Sequence, residues 1–345
     1  MYRKASKTKI PYTCARVRAM KSKIIHPDEY HKLLKLDLNS ITKYLQDSQY
    51  KDSLIKLSLE FQGIELIDMA LRREQYRTFN KLREISPESV VRVLDLYLGR
   101  FDVHNLKVVL RGLYSGAKRD DVFRLIEPIG RYRKEYFMDL FDQQSVRKVL
   151  EKNNIFSLKD LAKAYDSFKE NNSLVELENQ MDKLFFMNSI QGANQLKDYG
   201  KRFQGFLLMH IDVMNMKNLM RFKREGMDSQ QIMDYMIIQG QHLQKEQLLS
   251  LSKTKDVKDL VEKLQKTFYG RRMEFSTDVF DTEIGLDRLL NRQALLRSYR
   301  NPLSIETVLD YTMAKITEIR NLRSIIKAKY LGIDADYVEK KLLIK

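Results

Sequence analysis

A segment of 22 residues occurs three times in this chain without a gap, and that repetition restricts the possible folds more than any other feature. It reads FDVHNLKVVLRGLYSGAKRDDV from Phe101 to Val122, IDVMNMKNLMRFKREGMDSQQI from Ile211 to Ile232, and TEIRNLRSIIKAKYLGIDADYV from Thr317 to Val338. An asparagine anchors each copy: Asn105, Asn215 and Asn321, spaced 110 and 106 residues apart. Three residues before each stands an acid (Asp102, Asp212, Glu318), and two before it a β-branched apolar residue (Val103, Val213, Ile319). Apolar residues follow at +1, +4 and +5, and bases at +2 (Lys107, Lys217, Arg323) and +6 (Arg111, Arg221, Lys327). A glycine follows at +11 (Gly116, Gly226, Gly332), and Val122, Ile232 and Val338 close the unit. So many matched positions in three copies do not arise from composition alone.

Apolar offsets of −2, +1, +4 and +5 form one stripe on a helix, so each copy is predicted to be a helix buried on that side. The bases fall on another side. The glycine fits a C-terminal stop, where φ must be positive. Asp228 and Asp334 then suit the N-cap of a following helix. The first copy has Lys118 at that place and must use another residue, for which Asp120 is the candidate. Asparagine is a poor residue inside a helix, because its amide competes for backbone hydrogen bonds. The expectation is a hydrogen bond that ties this helix to a neighbour or a loop; a ligand-binding role would need three equivalent sites. The threefold acid, on equivalent helices, points to ion pairing or capping inside each unit and not to a catalytic triad.

The similarity extends upstream. Glu178-x3-Asp182-x-Leu184 matches Glu283-x3-Asp287-x-Leu289, 33 and 34 residues before Asn215 and Asn321 when counted from Asp182 and Asp287; Asp68 is a weaker counterpart before Asn105. Ser86-Pro87 and Asn301-Pro302 both precede a helix expected to end in Val-Leu-Asp, at Val93–Asp95 and Val308–Asp310. Several helices per unit account for this pattern, with boundaries expected at Pro128–Gly130 and at Gly240. The division is 1–127, 128–240 and 241–345, three pseudo-equivalent multi-helix repeats. Only 13 Gly and 5 Pro interrupt 345 residues, which favours an all-α fold over many short strands. The length itself calls for two or three domains.

A single cysteine, Cys14, makes an intramolecular disulfide impossible and suggests a reducing compartment. No apolar stretch approaches the roughly 18 residues that span a bilayer. The formal charge is +16, and half of the excess sits in residues 1–25, which hold eight bases and no acid. Such an end suits nucleic acid or acidic lipid, and it mimics a mitochondrial presequence. It also fits the solvated start of an ordinary helix, because Val17, Met20, Ile24 and Ile25 share one helical face.

The patterns that carry chemistry are absent. There is no P-loop, no dinucleotide fingerprint and no His-Glu-x-x-His; a lone cysteine removes the usual zinc patterns. His26-Pro-Asp-Glu-Tyr-His31 reads as a helix start, with Pro27 in the first turn and two acids at the positive end. His104 and His210 stand at different offsets from the repeated asparagine, and Cys14 has no identifiable base beside it. Eighteen Tyr and sixteen Phe among many bases suit RNA stacking, but no recognition motif gathers them, and cores account for most.

The opening Tyr12-Thr-Cys-Ala-Arg16-Val-Arg18-Ala-Met20, the stretches Tyr30–Leu34 and Leu45–Tyr50, and the ending Glu318–Arg323 with Gly332 and a short last helix complete a pattern. With the triple unit, it resembles the C-subunit family of archaeal-type (A-type) and bacterial V-type rotary ATPases, whose eukaryotic V-ATPase homologue is the d-subunit. The resemblance covers nearly the whole chain. It implies a non-catalytic adapter in the central rotor, its three helical repeats forming a funnel or socket. The mouth would receive the central stalk subunits, and the base would sit on the membrane rotor ring. Torque would then link ATP synthesis or hydrolysis to proton or sodium transport. It implies a peripheral membrane protein on the cytoplasmic side, touching the membrane only through partners, with no cofactor, nucleic acid or small-molecule substrate. The family supplies no catalytic residue to carry over. The competing readings are a helical-repeat RNA-binding protein and an all-helical enzyme with an unfamiliar site.

Overall fold

The computed structural model describes residues 9–197 and 199–344. The first eight residues of the basic N-terminal arm lie outside the described residues. Among the described residues the chain forms eighteen helices and no strand. The scarcity of helix breakers is the reason. The backbone divides into two compact units, one made of Met1–Pro87 with Leu208–Lys345, the other of Glu88–Leu207.

The first unit opens with α1 (Ile10–Lys21), α2 (Pro27–Lys35), α3 (Leu38–Gln46), α4 (Lys51–Leu57) and α5 (Gly63–Ile85). The second holds α6 (Glu88–Ser115), α7 (Arg119–Leu125), α8 (Lys134–Phe141), α9 (Val146–Lys152), α10 (Leu158–Asn171) and α11 (Val175–Asn194), and it ends within α12 (Gly200–Arg224). The chain then returns to the first unit with α13 (Ser229–Tyr235), α14 (Lys245–Ser252), α15 (Val257–Gln265), α16 (Val279–Arg300), α17 (Ile305–Leu331) and α18 (Ala335–Lys341).

Each repeated segment begins in the C-terminal part of a long helix, α6 with 28 residues, α12 with 25 and α17 with 27, and runs on into the short helix that follows. Val93–Asp95 and Val308–Asp310 therefore lie inside α6 and α17 and do not end a helix. The apolar stripe continues through them, and Val93, Leu94, Val308 and Leu309 are buried. All three helices stop at the glycine, with φ of +65° at Gly116, +76° at Gly226 and +65° at Gly332. The closure is the same each time: the amide after the glycine donates five residues back, from Ala117 to Gly112 O, Met227 to Phe222 O and Ile333 to Ala328 O. Asp228 caps α13 through the amide of Gln231, and Asp334 caps α18 through that of Tyr337. In the first copy Asp120 does not replace them. Lys118 remains the N-cap without a side-chain bond, and Asp120 and Asp121 sit in the first turn of α7, where the positive helix end favours acids.

The stripe is what builds the cores. In the second unit Val103, Leu106, Val109 and Leu110 of α6 pack with Phe137, Leu150, Leu161 and Met181. In the first unit Ile319, Leu322, Ile325 and Ile326 of α17 pack with Leu33, Ile41, Leu45, Tyr50 and Ile67. Burying a side chain of this size contributes roughly 1.5–3 kcal/mol. The last long helix thus shares a core with the first helices of the chain. At the N-terminal end, α1 stops at Lys21, so Ile24 and Ile25 are not on its face; Ile25 is buried by the turn into α2. His26 is the N-cap of α2, with Pro27, Asp28 and Glu29 in its first turn. The largest fully buried side chains include Tyr50, Tyr269, Tyr311, Phe79 and Phe137, so these aromatics fill cores.

Candidate functional site

The three asparagines make one and the same bond pattern. Asn105 donates from Nδ2 to Glu127 O (2.8 Å) and accepts at Oδ1 from Glu127 N (2.9 Å). Asn215 does the same with Ile237 O (2.8 Å) and Ile237 N (3.0 Å). Asn321 repeats it with Leu343 O (3.3 Å) and Leu343 N (2.8 Å). The partner stands 22 residues on in every case. All three asparagines are buried. A side-chain carboxamide can donate to and accept from one residue's backbone at the same time without carrying charge. It closes the backbone where the short helix after the glycine stop has ended, and so satisfies a buried N–H and C=O at once.

The acids fix the next stretch of backbone. Asp102 accepts from the amides of Arg131 (2.7 Å) and Tyr132 (3.3 Å). Asp212 accepts from those of His242 (2.7 Å) and Leu243 (3.3 Å), and also from the Tyr269 hydroxyl (2.6 Å). Burial pushes the Asp212 carboxyl above the usual aspartate range, against the pull of these three donors. Burial and the neighbouring carboxylate drive the Tyr269 phenol up strongly. Gly130 and Gly240, expected as boundaries, are points of close approach. A Cβ on Gly130 would lie 2.3 Å from the Asp102 carboxylate, and one on Gly240 1.8 Å from Asp212 Oδ1.

In the third copy the donor comes from the N-terminal part of the chain. Glu318 Oε1 accepts from Ile25 N (2.9 Å), Gln49 Nε2 reaches both carboxylate oxygens (3.1 and 3.3 Å), and Lys315 Nζ donates to Oε2 (2.7 Å). Lys315 also donates to the Tyr50 hydroxyl (3.0 Å), and the Lys315–Glu318 pair is fully buried. Ile25 directly precedes the N-cap of α2, as Tyr132 precedes that of α8 and Leu243 that of α14. The acid therefore holds the same point before a helix in all three copies. Backbone donors hold it in each copy, so it ties a long helix to the entry of another; the expected ion pair is present in the third copy, between Glu318 and Lys315.

The bases pair with the upstream acids, but across copies. Lys107 meets Asp182 (2.6 Å), and Arg111 forms a two-pronged contact with Glu178 (2.6 and 2.5 Å). Lys217 meets Asp287 (2.5 Å), and Arg221 grips Glu283 in the same way (2.5 and 2.8 Å). Arg323 reaches Asp68 (2.9 Å), while Lys327 is exposed. Glu178 and Asp182 thus serve the Asn105 helix, not the Asn215 helix whose sequence they precede. Hydrogen bonds raise the guanidinium basicity of Arg111 and Arg221. At Asp68 burial works upward, but Arg72 and Arg323 hold the carboxyl below its usual range.

The carboxylates Asp102, Asp212 and Glu318 are thus bound to several donors each, an arrangement that fixes helices and loops. Cys14 is buried, its thiol pushed up by burial, with Sγ 3.4 Å from Ser304 O. Among the described residues no group of three or more His, Cys, Asp or Glu could hold a metal ion, and no helix is long and apolar enough to cross a membrane. A family model described as ATP synthase (C/AC39) subunit matches residues 13–341. The chain belongs to the ATP synthase (C/AC39) subunit family. It is similar to the A-type ATP synthase C-subunit of Haloferax volcanii, at 31% identity over 343 residues, covering 96% of this chain and 97% of the relative. The A-type ATP synthase C-subunit of Halobacterium salinarum is 30% identical over 345 residues, with 96% and 97% covered. That of Methanococcoides burtonii is 28% identical over 348 residues, with 98% and 95% covered. The segment matched by the ATP synthase (C/AC39) subunit family contains all three repeated segments; the partner of Asn321, Leu343, lies just beyond it.

Proposed function

We propose that this chain is the non-catalytic central-rotor adapter of an A/V-type rotary ATPase, coupling the central stalk to the membrane rotor ring for ATP-linked proton or sodium transport. The observation that carries the proposal is the family match over residues 13–341, together with relatives named as the C-subunit of A-type ATP synthases over nearly their full length. In this reading three pseudo-equivalent repeats, divided near residues 127 and 240, form a funnel whose mouth takes the stalk foot and whose base sits on the ring. Asp102, Asn105 and Gly116, with Asp212, Asn215 and Gly226 and with Glu318, Asn321 and Gly332, are its structural positions and not a catalytic site.

The physical support is stiffness. Torque passes through a body only if its helices do not slip, and the same buried Asn tie and acid tie occur at each long helix. The formal charge of +16 suits an acidic stalk foot or the anionic cytoplasmic leaflet nearby. Membrane association on the cytoplasmic side would run through the partners. The RNA-binding alternative gains nothing from the family, and its largest aromatics are in cores. The test is gentle detergent extraction of membranes followed by affinity capture of this chain. Recovery with ATPase head, stalk and ring subunits is expected; rotary complexes that lack the chain would sink the proposal.

A further inference from the structure

One cleft adjoins the Asp212 tie through His242 and carries charge that the ties do not explain. It measures ≈ 390 Å³ and is walled by Arg272 from the segment after α15, Arg297 and Arg300 from the last turn of α16, His242, Phe268 and the glutamines Gln241 and Gln293, with no carboxylate in its lining. The hydrogen-bond partners of Arg297 and Arg272 are neutral. Arg297 donates to Gln241 Oε1 (3.1 Å), and Arg272 donates to Phe268 O (2.9 Å). Arg272 also stands 3.5 Å over the Phe268 ring, and the His242 ring stacks on the same ring at 3.6 Å and 17°. Two groups that close to one ring centre occupy its two faces. The nearby acids are committed elsewhere or set back: Asp212 is buried and holds three donors, and Glu306, within electrostatic reach of Arg297, is buried. Burial outweighs the pull of Glu306 and lowers the basicity of Arg297.

The repeat does not require these arginines. Aligned on the matched acids Asp182 and Asp287, the places of Arg297 and Arg300 are taken by Gly192 and Gln195 in the earlier copy. Aligned on Asp68, they are taken by Thr78 and Lys81. Three planar forks facing one cleft suit a multiply charged oxyanion, which accepts paired N–H groups on several edges. A single carboxylate would leave charge unmatched. Both faces of the Phe268 ring are covered, so that ring is not free to stack a base, and recognition falls on the anion itself.

We propose that the cleft between the end of α16 and the Phe268–Arg272 segment is a binding site for a phosphoryl group, held by Arg272, Arg297 and Arg300. The group belongs to a soluble phosphate compound or to a phosphate-bearing lipid headgroup. Titration calorimetry on the full chain with inorganic pyrophosphate, at ionic strength balanced with chloride, tests it. One saturable site is expected, weakened at least about tenfold in Arg300→Gln and in Arg272→Gln and less than about twofold in Lys163→Gln, a surface change in the other unit. Arg272 and Arg300 are exposed, so these variants are expected to fold, which circular dichroism checks. Sedimentation with phosphatidylcholine vesicles carrying phosphatidic acid separates the sources. Arginine-dependent vesicle binding displaced by pyrophosphate assigns the lipid headgroup, and pyrophosphate binding without vesicle binding assigns a soluble phosphate. The proposal is overturned if neither probe binds, if the arginine variants bind as the parent does, or if only a polyglutamate peptide binds.

Discussion

At the scale of single residues, Asn215 has two hydrogen bonds to the backbone of one residue and no exposure, so removing it strands a buried N–H and a buried C=O. Asn215→Ala is expected to destabilise the chain by about 2–4 kcal/mol in urea unfolding, and Asn215→Asp by at least as much, since a carboxylate oxygen would then face the Ile237 carbonyl. Asp212 gives a pH signature. Its carboxyl is raised in the folded state by burial, so the folded chain holds that proton more tightly than the unfolded one. Its proton-linked stabilisation is fully present below the ordinary aspartate value and is lost as pH rises through the raised folded value. Across that window the parent should lose stability relative to Asp212→Asn, and a slope of the opposite sign would refute the assignment. Asp68, held low by Arg72 and Arg323, should behave the other way, losing its contribution as pH falls through its depressed value. The role of the asparagines was legible because an amide inside a helix needs a reason. Their partners were not, because Glu127, Ile237 and Leu343 contribute backbone atoms that leave no mark in side-chain identity.

At the scale of elements, two kinds of glycine have different costs. Gly226 has open space around it and a φ of +76°, so Gly226→Ala meets only the left-handed penalty, about 1–2 kcal/mol. Gly240 lies against Asp212, so Gly240→Ala must push the acid off its backbone donors and is expected to cost more, above about 3 kcal/mol. Thermal melts of the two variants side by side check the order; equal shifts would mean that the acid tie gives way easily. The glycine stops could be read from spacing alone, since an apolar stripe ends at each. The close approach of Gly130 and Gly240 to Asp102 and Asp212 left no mark in the sequence, because breakers and close-contact glycines are the same residue type. The acids Glu178 and Asp182 were visible too, yet the sequence order set them beside Asn215. Which of two long helices they lie against is decided by packing, and they lie against the Asn105 helix.

At the scale of the whole molecule, the all-helical class followed from few breakers and a stripe at helical spacing. The return of the last helix to the first ones did not, because nothing local in Ile25 marks it as the donor to Glu318, nearly a full chain away. That return makes a prediction about the C-terminus. Ending the chain after Gly332 removes Val338 and Leu342 from the core shared with α2–α5, along with the Leu343 partner of Asn321. Hydrogen exchange should then show lost protection in α2–α5 and α17, while α8–α11, whose core has no member there, keep theirs. Uniform loss across both cores would contradict it. The adapter reading itself is tested most directly by imaging the detergent-extracted rotary complex in successive rotational states and locating this chain in each. A rotor adapter gives density for the chain between stalk and ring that turns with both. Density that stays fixed with the stationary head and peripheral supports while the stalk turns would contradict it.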